Sequence, residues 1–415
     1  MKRTPLDAWI AAKTNHTDLA AYQTQKLRET VEWARARSQF YRGRLADAPP
    51  ITGLDDLKWL RFTTANDIRR NPLQLVSVSQ DDIQRVVTLD TTGTTGSPKR
   101  LYFTREDQEL TIDFFHVGMS TFTDPGDRVL ILLPGQTPGS VGDLLATALE
   151  RLGAIPFKYG AVDDPAAVAD VIRRESINVV VGVPVHLLVL ARTQPAFKLK
   201  SVLFATDHVP DPIRETVTRT WGCEAYDHYG MTEMGLGGGV ECEARRGYHL
   251  READLLFEII DPQTELRLPD GDYGEIVFTT LMRRGMPLIR YRTGDYGRFV
   301  PGACPCGTSL KTLERVARRL NGRIPLGDGH ITIGELDRML FSVENVVNAI
   351  AVAHGVTRYG LTISVQVVGD IPSAVEAIRA RLALPDDVKV EIKPVDEIKL
   401  TMAKRVIVDM GVSFD

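Results

Sequence analysis

The chain has 415 residues, 43% apolar and 25% charged, which is ordinary globular composition and enough length for two domains. Fifty basic residues against 54 acidic ones leave a net charge of −4, which excludes a general nucleic-acid binder. Four cysteines do not make a disulfide scaffold, no apolar run nears the about 20 residues that span a bilayer, and no apolar h-region follows the basic N-terminus, so a soluble, cytoplasmic protein is expected.

Residues 1–70 read as largely helical, with a polar helix over Ala21 to Ala36. The run Val86 to Leu89 reads as a short buried strand. From Arg128, short apolar runs alternate with amphipathic stretches. Strands are predicted at Arg128 to Leu133, Ala154 to Lys158, Asn178 to Val183, Ser201 to Ala205 and Glu224 to His228. Helices are predicted at Ser140 to Leu152, Asp164 to Glu175, Val185 to Ala191 and Asp211 to Trp221. That alternation predicts an α/β fold with a mostly parallel sheet flanked by helices. Near residue 250 the pattern changes to a β-rich subdomain, with strands at 255–262 and 274–280. After Arg323 comes an α+β pattern: helices at Ile333 to Phe341 and Ile371 to Leu382, and strands at Val346 to His354, Leu361 to Val367 and, last, Val388 to Ile392. The predicted division is a large N-terminal domain, 1–320, and a small mobile C-terminal domain, 321–415.

Three segments carry chemistry. Thr91-Thr92-Gly93-Thr94-Thr95-Gly96-Ser97-Pro98-Lys99 crowds backbone amides and hydroxyls around two glycines, so it can wrap a polyphosphate, and Lys99 adds a mobile positive charge. It follows a predicted strand, and strand ends are where α/β proteins bind ligands. It is not a Walker A loop, because Ser97 and Pro98 stand between Gly96 and the lysine. A solvated linker shares the composition but seldom the strand-loop-lysine order.

The second segment, Tyr229-Gly230-Met231-Thr232-Glu233, supplies an aromatic face, a hydroxyl and a carboxylate of the kind Mg²⁺ prefers. The third, Arg290-Tyr291-Arg292-Thr293-Gly294-Asp295, ends on a carboxylate whose two oxygens suit a vicinal diol, although Gly-Asp is also a common turn. Separately, Cys304-Pro305-Cys306 is a two-thiolate hook, and Cys242 with His249 adds a third sulfur and an imidazole. Three cysteines and one histidine can close a tetrahedral zinc site. Cys223 stands apart and reads as a small core residue.

These motifs resemble the adenylate-forming superfamily of acyl-CoA synthetases, and Glu241-Cys242-Glu243…His249 with Cys304-Pro305-Cys306-Gly307 resemble its phenylacetate-CoA ligase subfamily, over nearly the whole chain. The resemblance implies ATP-dependent activation of an acid, aromatic and phenylacetate-like, to an acyl-adenylate, then transfer to coenzyme A with release of AMP and pyrophosphate. It implies that the 91–99 loop holds the β- and γ-phosphates, that Tyr229 contacts adenine, Thr232 the α-phosphate, Glu233 Mg²⁺ and Asp295 the ribose, and that Arg323 contacts the nucleotide. It also implies a structural zinc at the cysteine set, a homodimer, and a C-terminal lysine bridging the carboxylate and the α-phosphate. Lys404 is the candidate, with Lys399 and Arg405 as alternatives, since relatives carry glycine where this chain has Ala403. By position in the family, 136–139, 182–186 and 205–208 line the acid or adenine site, although His186 can equally be a hydrogen-bonded core residue.

The sequence departs from the subfamily after Gly322-Arg323, where the hinge acid is missing and the following loop is shorter. An adenylating enzyme serving an amine, a carrier protein or another non-CoA acceptor therefore stays open as an alternative. A catalytically silent nucleotide sensor is a third reading, disfavoured by the presence of Lys99, Thr232, Glu233 and Asp295.

Overall fold

In the computed structural model of the protein, which describes residues 4–89, 98–316, 318–320, 322–354, 360–385 and 387–410, contacts group the chain into two units. One comprises Met1–Phe122, Thr137–Leu152 and His228–Val316; the other comprises Thr123–Gln136, Gly153–Asp227 and Ala317–Asp415.

In the first unit, Asp18 caps the 19-residue helix Leu19–Arg37 by accepting from the Ala21 amide, so the long polar helix starts with a satisfied donor. Its buried stripe, Leu27, Val31 and Ala34, packs with Tyr41, Leu45, Leu256, Leu281 and Ile289. The predicted strand before the 91–99 segment is present over Ile83–Leu89, but it is neither buried nor part of a parallel sheet. It pairs antiparallel with Lys99–Thr104 as a hairpin, with alternate residues of the first strand exposed, because one face of that strand meets solvent. Thr104 then caps the helix Arg105–Met119 with a capping box to Asp107. Asp107 also accepts from the amides of Arg284 and Gly285 at 2.8 and 3.0 Å, and a Cβ on Gly285 would stand 2.5 Å from its carboxylate.

The β-rich part of this unit is an antiparallel sheet in which the two strands that the sequence predicts, Leu255–Ile260 and Gly274–Thr280, are joined by a third, Tyr291–Gly297, that it does not. The first two strands are buried along their whole length, Glu258 and Glu275 included. Just before the third, Arg290 has a left-handed backbone (φ 47°) and forks onto Glu258 with bonds of 3.0 and 3.1 Å. It also donates to the Leu60 carbonyl at 3.0 Å and lies 4.0 Å from the Phe62 ring centre.

In the second unit, five strands run parallel in the spatial order Ile155–Lys158, Arg128–Ile131, Val179–Gly182, Ser201–Phe204 and Glu224–Asp227, the last being the first part of the strand Glu224–Tyr229. In chain order that is 2-1-3-4-5, a doubly wound arrangement whose direction of winding reverses between the strands at 128–131 and 179–182. The C-terminal part contributes a hairpin of Arg323–Leu326 with Gly329–Thr332, the helices Ile333–Phe341 and Ile371–Arg381, and a mixed sheet ordered Lys389–Val395, Gly360–Val367, Val346–His354, Ile407–Met410. The strand at 389–395 is thus not the last. Ile407–Met410 follows it and pairs parallel with Val346–His354, a strand too short to announce itself after the irregular stretch at 396–406. Cys223 is a buried core thiol, as expected; burial pushes its pKa up to about 11. No described helix is long and apolar enough to cross a membrane.

Replacing Glu258 by alanine leaves the Arg290 guanidinium buried without its carboxylate. It should lower stability by about 3–5 kcal/mol, read by denaturant unfolding; an unchanged midpoint would refute the pair's structural role.

Candidate adenylate-forming site

Glu233 lies on a single 3₁₀ turn, Thr232–Met234, four residues beyond the Tyr229 end of its strand. The motif's glycine has a packing reason: a Cβ on Gly230 would stand 1.9 Å from the Leu236 carbonyl oxygen. The turn closes under that approach, so only glycine lets the chain reverse there and drive Glu233 inward. Glu233 is 4% exposed, and two groups meet its carboxylate while a third meets its backbone carbonyl. The Lys99 ammonium pairs with Oε1, the Tyr291 hydroxyl donates to the same oxygen at 3.1 Å, and Arg283 donates to the Glu233 carbonyl at 2.8 Å. Burial pushes the Glu233 pKa up, but the Lys99 charge and hydrogen bonds from Lys99, its own amide and Tyr291 outweigh it and hold the group below its ordinary 4.5.

Beside this centre, the Tyr229 hydroxyl donates to Asp295 Oδ2 at 3.0 Å, and its ring stacks on Tyr248 with centres 6.0 Å apart. Asp295 is buried at 5% exposure, and its amide bonds the Thr293 hydroxyl at 3.0 Å. Thr232 is half-buried on the same turn. Lys99, Tyr229, Gly230, Thr232, Glu233 and Asp295, named from three separated motifs, therefore belong to one unit, and hydrogen bonds or ion pairs link Lys99 with Glu233 and Tyr229 with Asp295. Thr91, Thr92, Gly93, Thr94, Thr95 and Gly96 lie outside the described residues. Arg323 is exposed on the hairpin of the second unit, and Lys404 is exposed in an irregular segment of that unit. Arg405 is committed elsewhere: its guanidinium donates to Asp337 at 2.9 and 2.6 Å and to the Ala349 carbonyl at 2.9 Å.

Sequence reasoning missed Tyr291 and Arg283. Tyr291 stood inside a quoted motif, but nothing in spacing says that its hydroxyl turns towards Glu233. Arg283 is buried at 5% exposure, lies 4.7 Å from the Phe103 ring centre, and has its pKa pushed down to about 10 by burial. His186 is a core residue with Nε2 3.0 Å from the Thr401 carbonyl, and Asp207 and His208 are half-buried in ion pairs.

The cysteine set converges. Cys242, His249, Cys304 and Cys306 place one donor atom each within 4.8 Å of one another. The Cys242 and Cys304 sulfurs are 3.6 Å apart, and Cys306 Sγ is 3.4 Å from His249 Nε2. A tetrahedral zinc with Zn–S of about 2.3 Å and Zn–N of about 2.0 Å needs separations of about 3.8 and 3.5 Å, so the set fits such an ion. His249 Nδ1 faces the Thr312 hydroxyl at 3.4 Å, on the strand paired with its own, which orients the ring.

In Lys99→Ala the buried Glu233 loses its main counter-charge. In the native protein the depressed pKa means that Glu233 contributes stability above about pH 4.5, and this is lost as pH falls through the folded value. Without Lys99 the ionised form is the costly one, so the variant's stability deficit should be larger at pH 7 than at pH 4.5. Melting curves at both pH values check this; an equal deficit would show that Lys99 does not compensate Glu233.

The AMP-binding enzyme family matches residues 19–282. A phenylacetate-coenzyme A ligase of Pseudomonas putida is 32% identical over 302 residues, 68% of this chain and 67% of that protein. One of Thermus thermophilus is 28% identical over 351 residues, 79% of this chain and 76% of that protein. Among solved structures, a 2-hydroxyisobutyryl-CoA ligase in its postadenylation state, with R3-HIB-AMP, superposes with a TM-score of 0.79 at 22% identity, covering 94% of this chain and 89% of that one. The chain belongs to the AMP-binding enzyme family, among the phenylacetate-coenzyme A ligases.

Proposed function

We propose that the protein activates a carboxylic acid, aromatic and phenylacetate-like, with ATP to an acyl-adenylate and transfers the acyl group to coenzyme A. In the first step a carboxylate oxygen attacks the α-phosphorus and pyrophosphate leaves. In the second the CoA sulfur attacks the acyl carbon and AMP leaves. The observation that carries this reading is the match to the Pseudomonas putida ligase over two thirds of both chains, with the three motifs present.

In this reading Asp295 binds the ribose hydroxyls, Tyr229 and Gly230 lie against the adenine, and Thr232 binds the α-phosphate. The loop from Thr91 to Gly96, with Lys99, holds the departing phosphates, so Lys99 exchanges Glu233 for phosphate when ATP enters. Glu233 would hold Mg²⁺, which neutralises phosphate charge during the displacement; a single hard carboxylate suits an ion that shares its shell with substrate oxygens. Arg323 contacts the nucleotide. Lys404 stabilises the charge that builds between carboxylate and α-phosphate. Of the alternatives, Arg405 is the weaker, since its guanidinium is already bonded to Asp337. Residues 1–320 form the adenylation domain and 321–415 a lid, although by contacts the C-terminal part groups with the parallel sheet. The resemblance also supports a cytoplasmic homodimer.

The missing hinge acid favours a second reading in which the adenylate goes to another acceptor. There the chain runs Arg323-Ile324-Pro325-Leu326 into a hairpin that returns at Gly329. Pyrophosphate release with a panel of aryl and arylacetic acids, with and without CoA, separates the readings. Acid-dependent release with a thioester product is expected. Release without thioester selects the second reading, and no release refutes both. Lys404→Ala should lose pyrophosphate release by about 100-fold or more; if Lys399→Ala does so instead, the catalytic assignment moves to Lys399.

We also assign Cys242, His249, Cys304 and Cys306 a structural Zn²⁺, a closed set with no position left for substrate. Stoichiometric zinc is expected by elemental analysis, with a lower melting temperature in Cys304→Ser; protein free of metal as isolated would refute it.

A further inference from the structure

The stretch from Thr401 to Arg405 belongs to no helix or strand, so no ladder of backbone bonds sets its path. Its two ends are nevertheless fastened. His186 Nε2 lies 3.0 Å from the Thr401 carbonyl oxygen, and the Arg405 amide donates to Asp207 Oδ2 at 2.7 Å. A carbonyl can only accept, so His186 carries its proton on Nε2. Burial pushes the His186 pKa down, which keeps the ring neutral, and its buried Nδ1 has no partner among the described residues.

At the Arg405 end four ionisable residues form a ring that closes through the Arg405 backbone amide. Asp207 Oδ1 is 3.2 Å from His208 Nδ1, and His208 Nε2 is 3.0 Å from Asp337 Oδ2. Asp337 takes two bonds from the Arg405 guanidinium, and the Arg405 amide returns to Asp207. Two carboxylates alternate with two cations, so the ring is neutral as a whole. Its side chains are 7, 16, 0 and 14% exposed in the order Asp207, His208, Asp337, Arg405. Burial alone would discharge His208, but the two aspartates outweigh it and push its pKa up to about 9.

Both fastenings sit on the carboxyl edge of the parallel sheet. His186 comes four residues after the strand ending at Gly182, and Asp207 three after the strand ending at Phe204. That edge is where open α/β sheets bind ligands, and the strand ending at Gly182 borders the point where the winding reverses. The four-residue step between the fastenings contains Lys404. A terminal strand could be docked with apolar side chains at lower cost, since four buried charges carry a desolvation penalty without a net gain in stability. What the ring adds is a fixed direction and register for the backbone it grips.

We propose that Asp207, His208 and Asp337, acting through Arg405, and His186, acting on Thr401, are positioning residues that hold the Lys404 segment over the carboxyl edge of the parallel sheet. The proposal rests on the adenylating reading above. It assigns these residues no contact with substrate; they act by fixing where the lysine's backbone runs.

The test compares the full-length protein with Asp207→Ala, His208→Gln, Arg405→Ala and Arg405→Lys. Pyrophosphate release by His208→Gln and Asp207→Ala should fall about 100-fold in kcat, while KM for ATP stays within about two-fold. Arg405→Lys, which retains the charge, should recover part of the activity lost in Arg405→Ala. Labelling of Lys404 by an amine-reactive reagent, followed by mass spectrometry, should be faster in His208→Gln than in the native protein. A purely structural ring would lower the melting temperature and leave kcat and labelling of the folded fraction unchanged, which overturns the proposal. If Asp207→Ala does not fold, the Arg405 pair and the labelling decide. Native protein that releases no pyrophosphate with any acid overturns the adenylating reading; unchanged Lys404 labelling in His208→Gln overturns the ring on its own.

Discussion

A carboxylate taken out of water must find a positive partner or give up its charge, and Glu233 in this fold has found Lys99. The two residues are 134 apart in the chain, one at the start of a hairpin strand and the other on a tight turn after a strand. Holding them together requires Gly230 to let the turn close, Tyr291 to share Oε1, and Arg283 to satisfy the turn's carbonyl. The Thr104–Asp107 cap then links the hairpin to Arg284 and Gly285, on the segment that leads into the Asp295 strand. One buried charge thus ties together three motifs that would otherwise be independent loops.

The same economy of buried charge recurs elsewhere in the chain. Arg290 is forked onto Glu258, and Arg251 onto Asp254 with side chains 3 and 2% exposed. The Asp207–His208–Asp337–Arg405 ring follows the rule with two charges of each sign. Such groups add little net stability compared with apolar packing, but breaking one leaves an uncompensated ion. They therefore act as registers for backbone position. Arg290 begins the strand that carries Asp295, and Arg405 ends the segment that carries Lys404.

Much of this was legible in the chain. Periodicity located the parallel strands and their helices within a residue or two, because each strand is a short apolar run bounded by turn residues. The helix at 333–341 and the strand at 346–354 were placed at the bounds they have. The strand before the 91–99 segment reads as buried but is half-exposed, since Val86 and Val87 look alike in sequence but face opposite sides of a two-stranded ribbon. The strand Ile407–Met410 escaped notice because its pairing with Val346–His354 joins segments far apart in the chain. Tyr291, Arg283 and the ionic ring were invisible for a related reason: which way a polar side chain turns depends on partners brought by folding.

The sequence by itself determined the chemistry on offer: a glycine- and threonine-rich loop with its lysine, the Tyr-Gly-x-Thr-Glu and Thr-Gly-Asp motifs, a Cys₃His set, and an α/β alternation that admits few folds. These are properties of residue type and spacing, and they do not depend on which groups the fold brings together. The tertiary structure alone decided which of those groups meet. It paired Lys99 with Glu233 and Tyr229 with Asp295, drew four zinc-type donors within 4.8 Å, and took Arg405 out of contention as a free cation by locking it to Asp337. Desolvation is the physical reason. It acts on a group only once neighbours have displaced its water, and no linear spacing records which neighbours those will be.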